Sequence, residues 1–207
     1  MGYNRKDYFF KKAKEQNYAA RSVFKLEEMD ARFKLLRPGL KVLDLGAAPG
    51  SWSQYASQKI GPQGRVLAVD LQEVGLTLPN VAFVRSDIRQ IQWDHVFNEF
   101  GIKPPFDVVL SDMAPKTTGI RDADQARSAE LCRLALEIAN RYLKPSGHLI
   151  VKLFHSGEFE AFRAELKKQF ERVEVLRPKS TRTESKEIFL LGLKLRPNGN
   201  SPETSYP

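Results

Sequence analysis

The chain has 207 residues, of which 42% are hydrophobic, and carries a formal net charge of +8. A chain of this length buries one sizeable core, so we expect a single domain over residues 18–196, a basic N-terminal extension over 1–17 and a disordered tail over 197–207. The N-terminus has charges where a signal peptide is apolar, and no apolar run reaches the length of a membrane span, so these patterns exclude a membrane-spanning class and predict a cytoplasmic protein. The single cysteine, Cys132, excludes an intrachain disulfide and falls among apolar residues of a helical pattern, which predicts a core position.

The positive charge is concentrated near both ends of the chain. Residues 1–37 contain ten Lys/Arg against five Asp/Glu, residues 163–196 contain the same numbers, and the middle is nearly balanced. This distribution favours a polyanionic partner such as nucleic acid, with a surface made basic only for solubility as the alternative. Residues 3–16 also contain four aromatic side chains, a composition that suits phosphate contact and base stacking and equally suits an amphipathic tail.

Apolar periodicity predicts alternating helices and strands along the chain. Nearly continuous apolar strands separated by helices predict a parallel sheet covered on both faces. The last two strands are joined by a short polar loop, which predicts an antiparallel hairpin. The fold class is therefore α/β, with a mostly parallel sheet, an antiparallel last strand and helices on both faces. The predicted helices are 18–35 (ended by Pro38 and Gly39), 51–58, 90–100, 122–142 and 158–170, and the predicted strands are 41–45, 65–70, 81–84, 106–112, 147–152, 173–176 and 187–195.

The segment KVLDLGAAPGSWSQ, residues 41–54, places a loop of small residues between the first strand and a helix. Gly46 and Gly50 lack a Cβ atom that would block a tight turn or the approach of a ligand. Ser51 is a candidate N-cap of the helix that follows. We therefore expect this loop to form part of a cofactor site.

Acidic residues at the strand ends indicate which cofactor the loop holds. Asp70 ends the second strand, where it can accept hydrogen bonds from ribose hydroxyls, and nicotinamide dinucleotides would also satisfy this feature. However, the loop lacks the G-x-G-x-x-G spacing and follows Asp44, which would repel a pyrophosphate. S-adenosylmethionine contains adenosine and positive charge but no phosphate, so it fits better. Asp87 can then accept from the adenine amino group, while Ile88 packs on the ring.

Parallel topology brings four further ionisable residues to the same rim. Asp112 and Lys152 end neighbouring strands, and Glu187 begins the antiparallel last strand, so all three fall beside the cofactor. Lys25, on the first core helix, can pack over this rim. Two lysines and two acids can remove a proton from a hydroxyl group, which requires a lysine in its neutral form.

Five segments resemble the FtsJ family of ribose 2′-O-methyltransferases, and the resemblance covers residues 18 to about 195. It implies a Rossmann-like S-adenosylmethionine-dependent methyltransferase fold and a catalytic tetrad of Lys25, Asp112, Lys152 and Glu187, with Lys152 as proton acceptor. Ser51 stands where many members are expected to have glycine, and we expect its side chain to point to solvent. The segments are SVFKLEE (22–28), DLGAAPGSWSQ (44–54), SDMAP (111–115), VKLF (151–154) and SKEIFL (185–190). The cofactor contacts implied by the resemblance are Gly50, Trp52, Asp70, Asp87 and Asp112.

The resemblance also implies a substrate. The length is most similar to that of bacterial members that methylate a uridine ribose of 23S rRNA in the large ribosomal subunit, although members acting on tRNA or mitochondrial rRNA share the same core. A nicotinamide oxidoreductase and a noncatalytic RNA-binding module are the alternatives from other classes. The three histidines have no ligand spacing, so no metal site is expected, and a monomer is the default. Candidate RNA-binding residues are Arg5, Lys6, Lys11, Lys12, Lys14, Arg177, Lys179 and Arg182.

Overall fold

The structure, a computed structural model, describes residues 5–154, 156–182 and 185–197, with side chains from Tyr8 onward. These residues form a sheet of seven strands surrounded by helices. The helices are α1 (Arg5–Glu15), α2 (Val23–Phe33), α3 (Ser51–Ile60), α4 (Trp93–Phe100), α5 (Arg121–Tyr142) and α6 (Glu158–Gln169). The strands are β1 (Lys41–Leu45), β2 (Arg65–Asp70), β3 (Val81–Arg85), β4 (Phe106–Ser111), β5 (Leu143–Phe154), β6 (Phe170–Leu176) and β7 (Glu187–Leu195).

The sheet has the strand order β3-β2-β1-β4-β5-β7-β6. Strands β1 to β5 pair with one another in parallel, whereas β7 runs antiparallel to both β5 and β6. The predicted mostly parallel sheet with an antiparallel last strand is therefore confirmed, as is the hairpin formed by the last two strands. The chain leaves β1 toward β2 and β3, then returns to β4 on the other side. The carboxyl ends of β1 and β4 therefore form the topological switch point, where open sheets bind their ligands.

Helices cover both faces of the sheet, as the sequence predicts. Side chains of α1, α2 and α3 form one hydrophobic core with one face, and side chains of α4, α5 and α6 form a second core with the other. Cys132 is buried in the second core, which confirms its predicted core position. Alternate strand residues feed the two cores, because successive side chains of a strand point to opposite faces. The sheet rim is thereby held rigidly between two packed layers.

Helix α2 is shorter than the predicted 18–35. It begins at Val23 and ends at Phe33, because Lys34 adopts a left-handed conformation with φ 55° and its N–H closes the helix on Asp30 O at 2.8 Å. Leu36 then turns back, donating its N–H to Asp30 Oδ1 at 2.8 Å. The interpretation that Pro38 and Gly39 end this helix was therefore wrong by several residues.

Two further element boundaries differ from their predicted positions, because in each case a helix passes directly into a strand with no loop between them. Strand β5 begins at Leu143, directly after α5, rather than at residue 147. Helix α6 ends at Gln169 and β6 begins at Phe170, where the helix was predicted to continue. In the N-terminal region, α1 packs Ala13 and Phe9 against the core that contains α2. The predicted division at residues 17 and 18 stays a prediction, and the predicted tail lies outside the described residues except for Pro197.

The described part of the chain contains neither a membrane-spanning helix nor a cluster of metal ligands. None of its helices combines the length and the apolar character that a bilayer crossing requires. Its His, Cys, Asp and Glu side chains nowhere form a group of three or more able to hold a metal ion.

Candidate active site

A cleft opens at the carboxyl ends of β1 to β4, next to the topological switch point. Asp70 ends β2, Asp87 follows β3 and Asp112 follows β4, and all three line the cleft. Ile88 and Leu71 add apolar surface, and Leu71 is 62% exposed. The cleft therefore offers carboxylate acceptors beside apolar contacts, as small-molecule sites do.

The loop after β1 contains the two glycines that were predicted to allow a close approach. Gly46 lines the cleft with φ 78°, and a Cβ atom there would lie 2.6 Å from Cγ of Met113. Gly50 has φ 104°, and a Cβ atom there would lie 2.5 Å from Cδ1 of Leu76. Both positions combine a left-handed backbone with a crowded surrounding, so a side chain fits neither of them.

Ser51 and Trp52 begin α3 and lie under α2. Ser51 is 1% exposed, and its hydroxyl shares a hydrogen bond of 2.8 Å with the hydroxyl of Ser22. The expectations that Ser51 caps α3 and that it points to solvent are therefore wrong, because α2 covers the first turn of α3 and α3 has no side-chain cap. Trp52 donates its indole N–H to Ser22 O at 2.9 Å, and its ring centroid lies 5.8 Å from that of Phe189. Both residues thus fix the start of α2 against the sheet.

Backbone N–H groups orient Asp70 and Asp87. Asp70 accepts from Ala48 N at 2.9 Å and from Gln72 N at 2.7 Å, one bond to each carboxylate oxygen. Asp87 accepts from Arg89 N at 2.9 Å. Each carboxylate oxygen has a second lone pair, so both side chains retain capacity for a ligand.

Asp44 is fully buried beneath the loop rather than exposed in the cleft. Its Oδ2 accepts from the Ser53 hydroxyl at 2.6 Å, while its Oδ1 has no hydrogen-bond partner among the described residues. Burial raises the pKa of the Asp44 carboxyl to about 7; the Ser53 hydrogen bond lowers it, and the charges of Asp112 and Asp70 raise it further. Asp44 is therefore poised to change protonation near neutral pH.

Two lysine–carboxylate pairs lie at this rim. Lys152 Nζ donates to Asp112 Oδ1 at 2.8 Å and to Asp112 O at 2.5 Å. Lys25 Nζ lies 2.5 Å from Glu187 Oε1. The side chains of Lys152, Lys25 and Glu187 are 8%, 12% and 13% exposed, so solvent screens both pairs only weakly.

Strand register brings the two pairs together. Glu187 lies opposite Phe154 and Phe189 lies opposite Lys152 in the antiparallel β5–β7 ladder. Residues two apart on a strand share a face, so Lys152 and Glu187 are diagonal neighbours on one face. Lys25 Nζ lies 5.7 Å from the Phe189 ring centroid and therefore reaches the same face from α2.

The charges around Glu187 keep its carboxylate ionised. Burial raises the pKa of Glu187, but the charge and hydrogen bond of Lys25, then the charge of Lys152 and a hydrogen bond with Ser185, bring it below its usual value. Glu187 is therefore ionised at neutral pH and can accept a hydrogen bond from a hydroxyl group. Such an arrangement can bind, orient and deprotonate an alcohol.

A second cleft begins at the Lys25–Glu187 pair. Arg21, Ser22, Arg182 and Ser185 line it, so cationic side chains flank the pair on two sides. Arg21 was not among the residues predicted for the site, although it lies only a few positions before Lys25, just ahead of α2. The guanidinium of Arg21 donates to Ser180 O at 3.0 Å, which links it to the segment before β7.

The remaining candidate RNA-binding residues are spread over two regions. Arg177 donates to Ser185 O at 2.8 Å, and Lys179 N donates to Glu28 Oε2 at 2.8 Å, so this segment is tied down beside the second cleft. On α1, Lys11 and Lys14 are exposed, while Lys12 lies 4.4 Å from the Phe24 ring centroid and 3.9 Å from Glu27. The side chains of Arg5 and Lys6 lie outside the described residues.

Comparison with known proteins agrees with the geometry. The sequence model of the FtsJ-like methyltransferase family matches residues 18–195. The ribosomal RNA large subunit methyltransferase E of Bdellovibrio bacteriovorus is 59% identical over 193 residues, which are 93% of this chain and 98% of that protein. The protein of the same name from Oleidesulfovibrio alaskensis is 50% identical, over 91% of each chain. A crystal structure of a Plasmodium falciparum protein assigned as a ribosomal RNA methyltransferase superposes with a TM-score of 0.75 at 27% identity, covering 86% of this chain and 98% of that one. The chain therefore belongs to the family of FtsJ-like methyltransferases.

Proposed function

We propose that this chain transfers a methyl group from S-adenosylmethionine to the 2′-hydroxyl of a uridine ribose in 23S rRNA of the large ribosomal subunit. The observation that carries the proposal is the pairing of Lys152 with Asp112 and of Lys25 with Glu187 on one face, next to an acid-lined cleft. The names of the two bacterial relatives support ribosomal RNA as the substrate. All four residues come from one chain, which supports a monomer as the acting unit, and ribosomal RNA as substrate supports action in the cytoplasm.

The residues of the first cleft suit S-adenosylmethionine. Asp70 and Asp87 have free acceptor capacity for ribose hydroxyls and an adenine amino group, and Ile88 offers an apolar surface to the ring. The carboxylates of Asp70, Asp87 and Asp112, which all line this cleft, would together repel a pyrophosphate. This charge pattern argues against a dinucleotide cofactor. When bound, S-adenosylmethionine would supply a methyl group on a positively charged sulfur, which is electrophilic without further activation.

The protein residues would then supply proton transfer and alignment. Lys152, in its neutral form, would accept the proton of the 2′-hydroxyl while the oxygen of that hydroxyl bonds to the methyl carbon, and the bond from that carbon to sulfur would break, with S-adenosylhomocysteine as the leaving group. Asp112 holds Nζ of Lys152 in place through two hydrogen bonds. Lys25 and Glu187 would bind the ribose beside it, Lys25 as donor and Glu187 as acceptor. Holding the oxygen in line with the methyl group accounts for much of the acceleration.

The second cleft supports RNA as the polymer that delivers this ribose. Arg21 and Arg182 flank the Lys25–Glu187 pair and can bind the phosphates on either side of the target nucleotide. The exposed lysines of α1, Lys11 and Lys14, would extend the contact further along the strand. A ribose within a regular duplex would not reach the pair, so the substrate would be an exposed loop nucleotide.

The test is transfer of labelled methyl from S-adenosylmethionine to purified large ribosomal subunits and, separately, to tRNA. Wild type is compared with Lys152→Ala. Lys144→Ala is the matched control, because Lys144 lies on the same strand and pairs with an aspartate, Asp107, at the opposite end. We expect wild type and Lys144→Ala to label large subunits equally and Lys152→Ala to label them at least about 100-fold more slowly.

Each arm of this experiment has a distinct meaning. Equal labelling by wild type and Lys152→Ala would refute Lys152 as proton acceptor. Labelling of tRNA but not of large subunits would refute the substrate and leave the chemistry intact. RNA binding without methyl transfer by wild type would favour a noncatalytic RNA-binding module.

A further inference from the structure

Strand β5 extends beyond its neighbour β4 at the point where Lys152 projects. β4 ends at Ser111, which pairs with Val151, whereas β5 continues to Phe154. Past Val151, the β4 edge of β5 has no strand partner among the described residues. Backbone groups at a buried edge need other hydrogen-bond partners, since an unpaired buried N–H or C=O costs about 1–3 kcal/mol.

Helix α5 supplies both partners from two side chains. Cys132 Sγ donates to Lys152 O at 3.0 Å, and Ser128 Oγ accepts from Phe154 N at 3.0 Å. Lys152 and Phe154 are alternate residues, so their backbone groups point to the same edge of the strand. Ser128 and Cys132 are one helical turn apart and both are buried, so one face of α5 replaces the missing strand.

The thiol of Cys132 keeps its hydrogen at neutral pH. Burial raises the pKa of Cys132 to about 12, although the charges of Lys152 and Arg133 lower it. A protonated thiol is a donor, whereas a thiolate is not. The hydrogen bond to the Lys152 carbonyl is therefore present throughout the pH range in which the protein would be assayed.

We propose that Ser128 and Cys132 are positioning residues, which fix the end of β5 and so aim Nζ of Lys152 at the reaction centre. The inference rests on the proposed function, because it assigns Ser128 and Cys132 a part in methyl transfer through Lys152. Without the two contacts, the backbone at this end of β5 is hydrogen-bonded to β7 alone, and Nζ of Lys152 drifts relative to Asp112. Misplacement of a reacting group by 1 Å costs up to about 100-fold in rate.

The test compares donor-removing and donor-keeping variants by single-turnover methyl transfer to large subunits. Cys132→Ala and Ser128→Ala should each lower the rate about 10-fold with the affinity for S-adenosylmethionine unchanged. Cys132→Ser keeps a hydrogen-bond donor of similar reach and should restore the rate to within about threefold of wild type. Leu136→Ala, in the core on the same helix, controls for destabilisation and should lower the melting temperature without lowering the rate at a temperature where it is folded.

The hydrogen-exchange rate of the Phe154 amide is a second test of the proposal, and it does not depend on activity. Ser128→Ala should speed exchange of this amide at least about 10-fold relative to the amide of Val151. The proposal is overturned if Cys132→Ala and Ser128→Ala transfer methyl within twofold of wild type, or if Leu136→Ala loses as much rate as they do. It is also overturned if Phe154 exchange is unchanged. If wild type itself transfers no methyl to RNA, the proposed function fails, while the Phe154 exchange still decides whether α5 holds the strand end.

Discussion

Asp44 should make the stability of the protein depend on pH in a specific direction. Its carboxyl has an ordinary pKa of 3.8 and, in the folded protein, a pKa raised to about 7 by burial. As the pH rises between these values, the unfolded chain loses this proton while the folded chain keeps it. The contribution of Asp44 to the free energy of unfolding therefore falls with rising pH across this window and is constant above it.

The magnitude follows from the size of the shift. Each pKa unit corresponds to about 1.4 kcal/mol, so the full window is worth about 4 kcal/mol, and the part between pH 5 and pH 8 about 3 kcal/mol. Asp44→Asn removes the titration but keeps an oxygen that can accept from Ser53. The substitution itself is expected to cost stability, because it buries an amide N–H, but this cost is the same at every pH.

The assay is urea unfolding of wild type and Asp44→Asn at several pH values from 5 to 8. The difference between the two proteins cancels the titration of other groups. We expect wild type to lose about 3 kcal/mol relative to Asp44→Asn over this range. Parallel curves for the two proteins would refute the conclusion that Asp44 is protonated in the folded state below pH 7.

Three further predictions concern other parts of the site. In urea unfolding, Gly46→Ala should lose about 1–3 kcal/mol more free energy of unfolding than Gly39→Ala, because both positions have a left-handed backbone but only the Gly46 position is crowded. Equal losses of free energy by the two variants would refute the close packing of the loop. Trp52→Phe should cost about 1 kcal/mol in urea unfolding and lower the methyl-transfer rate, since α2 loses the hydrogen bond at its start; an unchanged rate would show that this anchor does not position the site. Glu187→Gln should lower the single-turnover rate at least about 10-fold, since the ammonium of Lys25 loses its carboxylate in a site mostly closed to water, and a rate equal to wild type would contradict a binding role for the pair.

The sheet and its rim could be predicted from local patterns. Apolar strands that end on acids, such as the one ending at Asp70, indicate both a buried parallel sheet and the edge where its ligands bind. The polar loop before Glu187 was too short for a crossover, so the antiparallel pairing followed. The ends of α2 and α6 could not be predicted as well, because Lys34 adopts a left-handed conformation and Phe170 passes directly from helix to strand, both of which depend on packing.

The environment of the site residues depended on contacts between distant segments. Ser51 looked like a capping residue exposed to solvent, because no local pattern shows that α2 covers it. Cys132 was predicted as a core residue, which is correct, but its contact with Lys152 O depends on how far β5 extends beyond β4. Topology therefore predicts which residues share a rim, and packing determines how each one is oriented.

The position of the transferred methyl group tests the central claim most directly. RNA labelled by the wild-type protein is digested with alkali, which cleaves every linkage that has a free 2′-hydroxyl. If the Lys152 site deprotonates a ribose hydroxyl, the label will be found in an alkali-resistant dinucleotide whose first nucleoside is a 2′-O-methyluridine. Label released as a mononucleotide methylated on its base would contradict the account.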